Sequence, residues 1–464
     1  MDTDVNNLLS LLTKSSSEEK ELVKKAYDFA KVAHEGQKRL SGEPYFNHLF
    51  ATAKSIAELG MDAVTVSAGF LHDTLEDTQT KPETIEKEFG KDVLFIVGGV
   101  SKLGALKYRG ADRHNESLRK LLLATSKDLR VLIVKFCDRL HNMRTLSFLP
   151  PEKQGRIARE TLEIYAPIAY RLGIRKLSKE LEDLSFPFVD KAGFEEMSSL
   201  LKKGYDNRLE NLEKFRKSVT KELAKSGFTN FHSDYRVKGL YSSYKKYLKF
   251  KKDIEKIYDI LAMRLIVEKT DDCYRALGII HASWRPLPGR IKDYIAFPKQ
   301  NGYQSLHTTV FTGNGDLVEI QIRTKEMHKE AEYGIASHVL YKTEVDKYNN
   351  KKNITSWIKN ISDQDPTDMK KDFLSERIFV FTPKGDVVDL PVGSSAIDFA
   401  YIIHSDIGNR MSGVKINGKL SPLDSILKEG DIIEIITSKN ARPKHKWLDY
   451  AKTSFAKRHI RNFI

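Results

Sequence analysis

The stretch Phe70–Leu71–His72–Asp73–Thr74–Leu75–Glu76–Asp77 lies inside an apolar run that begins near Val64. Read as one helix, at about 100° per residue, it places His72, Asp73, Glu76 and Asp77 within an arc of roughly 140°. Four ionisable groups on one face of a core-forming helix need a compensating partner. A divalent cation is the simplest one, since neutral imidazole and carboxylate both ligate metals. Two further segments offer matching ligands. His48 follows the turn-like Gly42–Glu43–Pro44, where a helix can begin, and Asp138 follows the apolar run Val131–Leu132–Ile133–Val134–Lys135–Phe136–Cys137. Asp138 and Asn142 share a helical face at i, i+4. The bland alternative is a helix bundle whose polar residues satisfy one another.

A second set of groups stands later in the chain. Asp259 precedes a strand-like run that holds Arg264, and Glu319 and Gln321, two apart, face the same side of their strand. Two carboxylates on neighbouring strands suit Mg²⁺, which keeps water and nucleotide phosphates as its remaining ligands. Arg236, Lys238, Lys246, Arg290, Lys292 and Lys299 surround them in sequence, the cations that a triphosphate requires. Asn301–Gly302–Tyr303–Gln304–Ser305 reads as a tight turn that exposes an aromatic ring to a base. The layout fits phosphoryl-type transfer, in which the protein positions substrates and neutralises charge. A basic sheet that binds RNA without chemistry is the competing reading.

The elements that position these groups fall into three parts. Residues 1 to about 185 read as almost wholly helical until Pro187, and residues 194–225 as a charged helical connector. The pattern then changes to strands at Ala262–Val267, Tyr294–Ala296, Leu306–Phe311 and Leu317–Ile322, with a helix from Cys273 to Trp284. Gly313–Asn314–Gly315–Asp316 is a hairpin signal between the last two strands. A helix from Glu326 to about Tyr341 closes this α+β unit. Lys342 to Lys371 reads as a polar linker with one short helix near Trp357. Arg377–Phe381, a turn at Pro383–Asp386, a helix around Ser395–Ile403 and two late strands to about Thr437 read as a small β-grasp module. Lys444 to Ile464 reads as one basic helix that stops without a cap, as in a truncated chain.

The 464 residues carry a net charge of +14, which favours polyanionic partners such as nucleotides or RNA. The charge is concentrated: eight Lys/Arg against two acids in 236–256, and eight against one from Ser438 onward. No run approaches the roughly 20 apolar residues of a membrane helix. Met1–Asp2–Thr3–Asp4 has no signal pattern, and only Cys137 and Cys273 are present. These features exclude a disulfide-framed or thiolate-zinc protein and point to the cytoplasm.

The order His48, His72–Asp73, Asp138 is the ligand order of an HD-type metal phosphohydrolase. Gly36–Gln37, Ser41–Gly42–Glu43–Pro44–Tyr45, His72–Asp73 with Glu76–Asp77, and Asp138–Arg139–Leu140–His141–Asn142–Met143–Arg144–Thr145 resemble the hydrolase half of the long RelA/SpoT homologues. Asp293–Tyr294–Ile295–Ala296, Pro298–Lys299, Asn301–Ser305 and Glu319–Ile320–Gln321–Ile322–Arg323–Thr324 resemble their synthetase half, and residues 377–437 their TGS domain. The resemblance implies a multidomain fold: an all-α HD-type phosphohydrolase domain (1–185), a helical connector (186–225), an α+β nucleotidyltransferase-like synthetase domain (226–345), a linker (346–374), a β-grasp TGS domain (375–437) and a basic helical tail (438–464). It further implies a bifunctional enzyme of the alarmone (p)ppGpp, without the regulatory modules that follow the TGS domain in long members.

By that resemblance, Asp259 and Glu319 bind Mg²⁺ and Glu319 receives the proton of the attacking 3′-hydroxyl of GDP or GTP. Arg236 and Arg264 sandwich the adenine of ATP. Lys238, Ser242, Lys246, Arg290 and Lys292 hold phosphates, Tyr303 stacks on guanine, and Lys299, Asn301, His307 and Gln321 support. At the other site His48, His72, Asp73 and Asp138 bind Mn²⁺. Glu76 and Asp77 act on the water, Asn142 lies near the ribose or phosphate, and Arg39, Ser41 and Arg144 bind substrate. Leu40 stands where many relatives have a second cation. Arg290–Ile291–Lys292–Asp293 has the basic form that bifunctional members carry. The TGS unit with His404, and the basic tail, imply contact with tRNA on the ribosome. A hydrolase with a silent synthetase half, or an RNA- or ribosome-binding regulator, are the alternatives; intact Asp259, Glu319 and Tyr303 argue against the first and the complete HD set against the second.

Overall fold

The computed structural model describes residues 4–104, 128–257, 259–299, 301–312, 316–334, 336 and 377–464. They divide into two units, one before residue 350 and one from 377 to the end.

The first half of the first unit is helical. Phe46–Glu58, Ala63–Leu71 and Leu129–Arg144 are its central helices, and nearly every apolar side chain on them is buried. Asp62 and Asp128 start the second and third of these, accepting from the backbone N–H groups of Thr65 and Arg130. The single helix expected through residues 70–77 is two. Ala63–Leu71 ends at His72, and a short turn of helix, Thr74–Asp77, restarts after Asp73. Bending the chain there lets His72 point inward while Glu76 and Asp77 stay at the surface. The helical pattern also does not stop at Pro187. Helix Arg175–Val189 carries that proline in its last turn, where it removes one backbone donor near an end that has few bonds left to lose.

Helix Lys191–Lys225 follows, capped by Asp190, whose carboxylate accepts from Gly193 N–H at 2.8 Å. Its residues Met197, Leu212, Phe215, Val219 and Leu223 are buried in the core of the next domain, so the expected connector is structurally part of that core.

The α+β half is a five-stranded sheet: β1 Phe231–Val237, β2 Leu261–Val267, β3 Lys292–Asp293, β4 Leu306–Phe311 and β5 Leu317–Thr324, in the order β1-β2-β5-β4-β3. Only β2 and β5 pair in parallel. Parallel strands need a crossover, and helix Thr270–Ser283 lies between them in sequence. Tyr294–Ala296, expected as a strand, is a turn, because the Asp293 carboxylate accepts from the N–H groups of both Ile295 and Ala296. Helix Lys325–Tyr333 ends at Gly334, with φ of +52°, and residues 337–341 of the expected helix lie outside the described residues. The expected tip at 313–315 and the 342–371 linker lie outside the described residues.

In the second unit β6 Arg377–Phe381 and β7 Val387–Pro391 form the expected hairpin, and helix Ala396–Ile403 follows. Three late strands are present where two were expected: β8 Met411–Ile416, β9 Lys419–Ser421 and β10 Ile433–Thr437, ordered β10-β8-β9. The basic tail is two helices, Trp447–Tyr450 and Ser454–Phe463, whose Trp447, Ala456 and Ile460 are buried against the same core as the strands. The break between them is fixed by Asp398, a buried carboxylate that accepts from the N–H groups of Lys452 and Thr453 and from Thr453 Oγ1.

Candidate functional sites

His48 lies in the first turn of helix Phe46–Glu58, His72 at the end of helix Ala63–Leu71, and Asp138 in the middle of helix Leu129–Arg144. Packing these helices together buries all three side chains and brings one ligand atom of each within 4.8 Å of the others. Asp73 completes the group: its Oδ2 is 3.1 Å from His72 Nε2 and 3.5 Å from His48 Nε2. His48 Nε2 is 3.4 Å and His72 Nε2 3.9 Å from Asp138 Oδ1. His72 Nδ1 is 2.8 Å from the Gly69 carbonyl and donates to it, which leaves Nε2 as a lone pair facing the carboxylates. That Nε2 is buried and has no hydrogen-bond partner. An orphaned imidazole nitrogen between two carboxylates fits a divalent cation, so the residues at hand suit a metal.

The electrostatics agree. Burial disfavours an imidazolium at His72, but Asp73 and Asp138 outweigh it and push the pKa up to about 9 when no metal competes for the ring. Asp73 is held well below the usual range despite its burial, chiefly by His72. Burial, then the neighbouring Asp73, raises Glu76, which is the direction a proton acceptor working near neutrality needs. Tyr45 donates to Asp73 Oδ2 at 2.8 Å or to Asp77 Oδ2 at 2.9 Å, tying the exposed Asp77 to the ligand group.

Around the ligands, Asn142 donates to Asp138 Oδ1 at 2.5 Å and accepts from Arg39, whose other arm meets His141 Nδ1 at 2.9 Å. His48 Nδ1 also faces His141 Nδ1 at 2.9 Å, so His141 orients the His48 ring. Burial, then His48 and Arg39, lowers the His141 pKa to about 3, which keeps it a neutral acceptor. Ser41, two residues after Arg39, has a buried, unbonded hydroxyl. Arg144 is turned to Glu180 at 2.5 Å, and Leu40 is 73% exposed. His141 and Lys135 were missed as site residues in the sequence. A lysine in the middle of the apolar run Val131–Cys137 was the signal for one; no local signal marks the other.

The second centre sits on the sheet. Lys238, just after β1, and Lys246, on helix Leu240–Lys249, both reach Asp259 Oδ2 at 2.6 Å. Burial opposes ionisation of Asp259, yet the two ammonium groups hold its pKa down to about 2. Burial and Lys246 lower Lys238 to about 8, against the pull of Asp259. Glu319 on β5 accepts from Gln321 Nε2 at 2.8 Å and lies 3.5 Å from His307 Nδ1, and β2 carries Ala262 opposite Glu319. His307 is kept neutral by burial and Glu319 is held low mainly by His307. Arg236 lies on β1 near these groups, whereas Arg264 is paired with Asp234 at 2.6 Å and Glu332 at 3.1 Å. Ser242 is bonded to Glu182 on helix Arg175–Val189. Arg290 is exposed just before β3 and Lys292 is exposed on it, and Lys299 stands 4.5 Å over the Tyr294 ring.

Tyr303 corrects an expectation. It is 3% exposed, not displayed on a turn. Its hydroxyl meets His307 Nε2 at 2.7 Å, and the Arg175 guanidinium lies 4.1 Å from its ring centroid. Asn301, next to it, donates to the Tyr170 carbonyl at 3.4 Å. The turn itself is as expected, with Gly302 at φ of +76°.

Residues 26–175 match the HD domain family, residues 235–346 the region found in RelA / SpoT proteins, and residues 378–437 the TGS domain. A guanosine-3′,5′-bis(diphosphate) 3′-pyrophosphohydrolase of Aquifex aeolicus is 44% identical over 474 residues, covering 100% of this chain and 67% of its own. A GTP pyrophosphokinase of Myxococcus xanthus is 43% identical over 96% of this chain and 60% of its own length. The small alarmone synthetase 2 of Bacillus subtilis is 28% identical over 33% of this chain and 84% of its own, with a TM-score of 0.25. The chain thus spans about two thirds of the length of the curated relatives it matches. An HD domain, a RelA/SpoT region and a TGS domain in that order, with 44% identity to such a relative along the whole sequence, mean that this chain belongs to the RelA/SpoT family of guanosine-3′,5′-bis(diphosphate) pyrophosphohydrolases and GTP pyrophosphokinases.

Proposed function

We propose that the chain both makes and hydrolyses (p)ppGpp, at two centres that share no residue. The observation that carries this reading is the pair of complete charged groups: His48, His72 and Asp138 with ligand atoms within 4.8 Å, and Asp259, just before β2, bridged by Lys238 and Lys246, with Glu319 on β5, the strand that pairs with β2.

At the helical centre, His48, His72, Asp73 and Asp138 would hold Mn²⁺, which would supply an acidified water. Glu76 takes a proton from the attacking water, and Asp77, tied to the ligand group through Tyr45, orients it. The water oxygen bonds to the phosphorus carried on the ribose 3′-oxygen, that P–O bond breaks, and the 3′-oxygen leaves as a hydroxyl with the proton that Glu76 took up. Asn142, Ser41, Arg39 and Arg144 line the path of the nucleotide. At the sheet, Asp259 and Glu319 would hold Mg²⁺, whose charge would offset that of the triphosphate. Lys238, Lys246, Ser242, Arg290 and Lys292 hold the phosphates of ATP and of GDP or GTP, with Lys299, Asn301, His307 and Gln321 in support, and Arg236 and Arg264 flank adenine. Glu319 takes the proton of the 3′-hydroxyl, the 3′-oxygen bonds to the β-phosphorus, and AMP departs. Tyr303 stacks on guanine once its face is cleared.

The test uses two variants of the whole chain. Asp73→Asn loses a metal ligand and is expected to abolish ppGpp hydrolysis while leaving synthesis from ATP and GDP intact. Glu319→Gln is expected to do the reverse. Loss of both activities in a folded Asp73→Asn protein would refute the two-centre reading.

For the second unit, contact with tRNA is the favoured role, supported by the basic residues after Ser438 and by exposed His404, which stands at the junction of two helices and not in the loop expected for it. Titration of deacylated tRNA, with and without ribosomes, at two salt concentrations is expected to show binding that weakens steeply with salt. No binding under any of these conditions would remove this role.

A further inference from the structure

We propose that Lys135 is a positioning residue of the helical metal centre, confining Asp138 to one-oxygen ligation and setting the charge of the site. The inference rests on the hydrolase reading given above.

The two oxygens of Asp138 have different surroundings. Oδ1 faces the imidazoles, 3.4 Å from His48 Nε2 and 3.9 Å from His72 Nε2, and accepts from Asn142. Oδ2 is taken by the Lys135 ammonium at 2.7 Å. Lys135 lies one helical turn before Asp138, and its side chain is 15% exposed. It holds the Asp138 carboxyl far below its usual range against the effect of burial. An ammonium buried in an apolar run is destabilising unless something recovers it. Asn142 and the two imidazoles all meet Oδ1, so Lys135 is the partner that holds Oδ2 and decides what that oxygen can do.

The position of the ammonium points to its use. Its charge also acts on the Glu76 carboxyl, the group that handles the proton. With Oδ2 engaged, Asp138 can offer an ion only Oδ1, which limits the coordination number. Mn²⁺ accepts such a restricted N/O set, whereas Ca²⁺ gains from bidentate carboxylates. The charge count follows. Two ligand carboxylates offset a divalent ion, and Lys135 supplies one positive charge against the Glu76 and Asp77 carboxylates, easing the approach of a polyanionic nucleotide.

Three variants separate these effects. Mn²⁺ and Ca²⁺ binding to the whole chain are measured by calorimetry without nucleotide, and the melting temperature is followed alongside. Lys135→Met removes both the charge and the hydrogen bond; Mn²⁺ is expected to bind about tenfold tighter, and the preference for Mn²⁺ over Ca²⁺ to fall about tenfold. Lys135→Gln keeps a donor without charge and should tighten both ions equally, leaving the preference unchanged. Lys135→Arg should behave as the wild type. With Mn²⁺ saturating, KM for ppGpp should rise several-fold in the two neutral variants. Mn²⁺ affinities of the Gln and Met variants within twofold of wild type, or weakened in step with a lower melting temperature, would overturn the proposal. Absence of Mn²⁺ binding by the wild type would instead overturn the hydrolase reading beneath it. Should the Met variant not fold, the Gln and Arg pair still tests the charge.

Discussion

A base that stacks on the Tyr303 face held by Arg175 must displace the guanidinium. The guanidinium lies 4.1 Å from the ring centroid and 5.3 Å from that of Tyr170, on the first turn of helix Arg175–Val189. The chain before it is pressed against the synthetase half: a Cβ built on Gly173 would stand 2.9 Å from the Gly334 Cα. A partly desolvated guanidinium against the Tyr303 face and the more exposed Tyr170 ring is attracted by about 3 kcal/mol. Arg175 Nε and Nη2 are buried without hydrogen-bond partners, which takes back about 2 kcal/mol. The remaining ~1 kcal/mol is a factor of about five in the fraction of molecules whose ring is available. Arg175→Ala is therefore expected to lower KM for GDP in ppGpp synthesis about fivefold with kcat unchanged. The assay is initial-rate synthesis at saturating ATP with GDP varied, in the Asp73→Asn background so that product is not consumed. An unchanged KM would mean that Tyr303 is not the guanine platform or that Arg175 leaves it at no cost. A fall in kcat alone would mean that Arg175 takes part in synthesis and does not restrain it.

Two predictions concern stability. Asp398→Ala strands the donors of Ser395, Lys452 and Thr453, several of them buried. The second unit is expected to lose at least about 3 kcal/mol in urea unfolding, with the 454–463 helix becoming the first site of proteolysis; an unchanged midpoint would refute the role of the carboxylate. His328 has a buried Nδ1 with no hydrogen-bond partner, and burial, with Arg323 and Arg264 nearby and Glu332 and Asp234 opposing, lowers its pKa from 6.5 to about 4. Because the unfolded chain takes up this proton first as pH falls, stability from His328 is complete above about 6.5 and is lost towards about 4. With the ring half-exposed, the loss is on the order of 1 kcal/mol. Melting curves between these limits should show it in the wild type and not in His328→Gln.

The sequence by itself determined which chemistries this chain can attempt. His48, His72–Asp73 and Asp138 were recognisable because their types are metal ligands and each borders an apolar helix. Asp259 and Glu319 stood out because acids are scarce among the lysines and arginines around them. The hairpin β6–β7 and the helix after it were legible from a local turn signal and an apolar run. What the sequence could not carry is the direction in which each side chain faces, since that depends on segments far away in the chain. The bend at His72–Asp73 turns one residue inward and leaves Glu76 and Asp77 outside, which a single helix would not do. Tyr303 reads as a turn aromatic, yet Arg175, distant in sequence, covers it. Asp293 converts an apparent strand into a turn through two backbone bonds. The charged tail reads as solvated because its basic residues dominate the composition, while Trp447, Ala456 and Ile460 bury its other face. Residue types declare what a group can do through local chemistry; burial and partnership come from tertiary packing, and those decide which groups are free to do it.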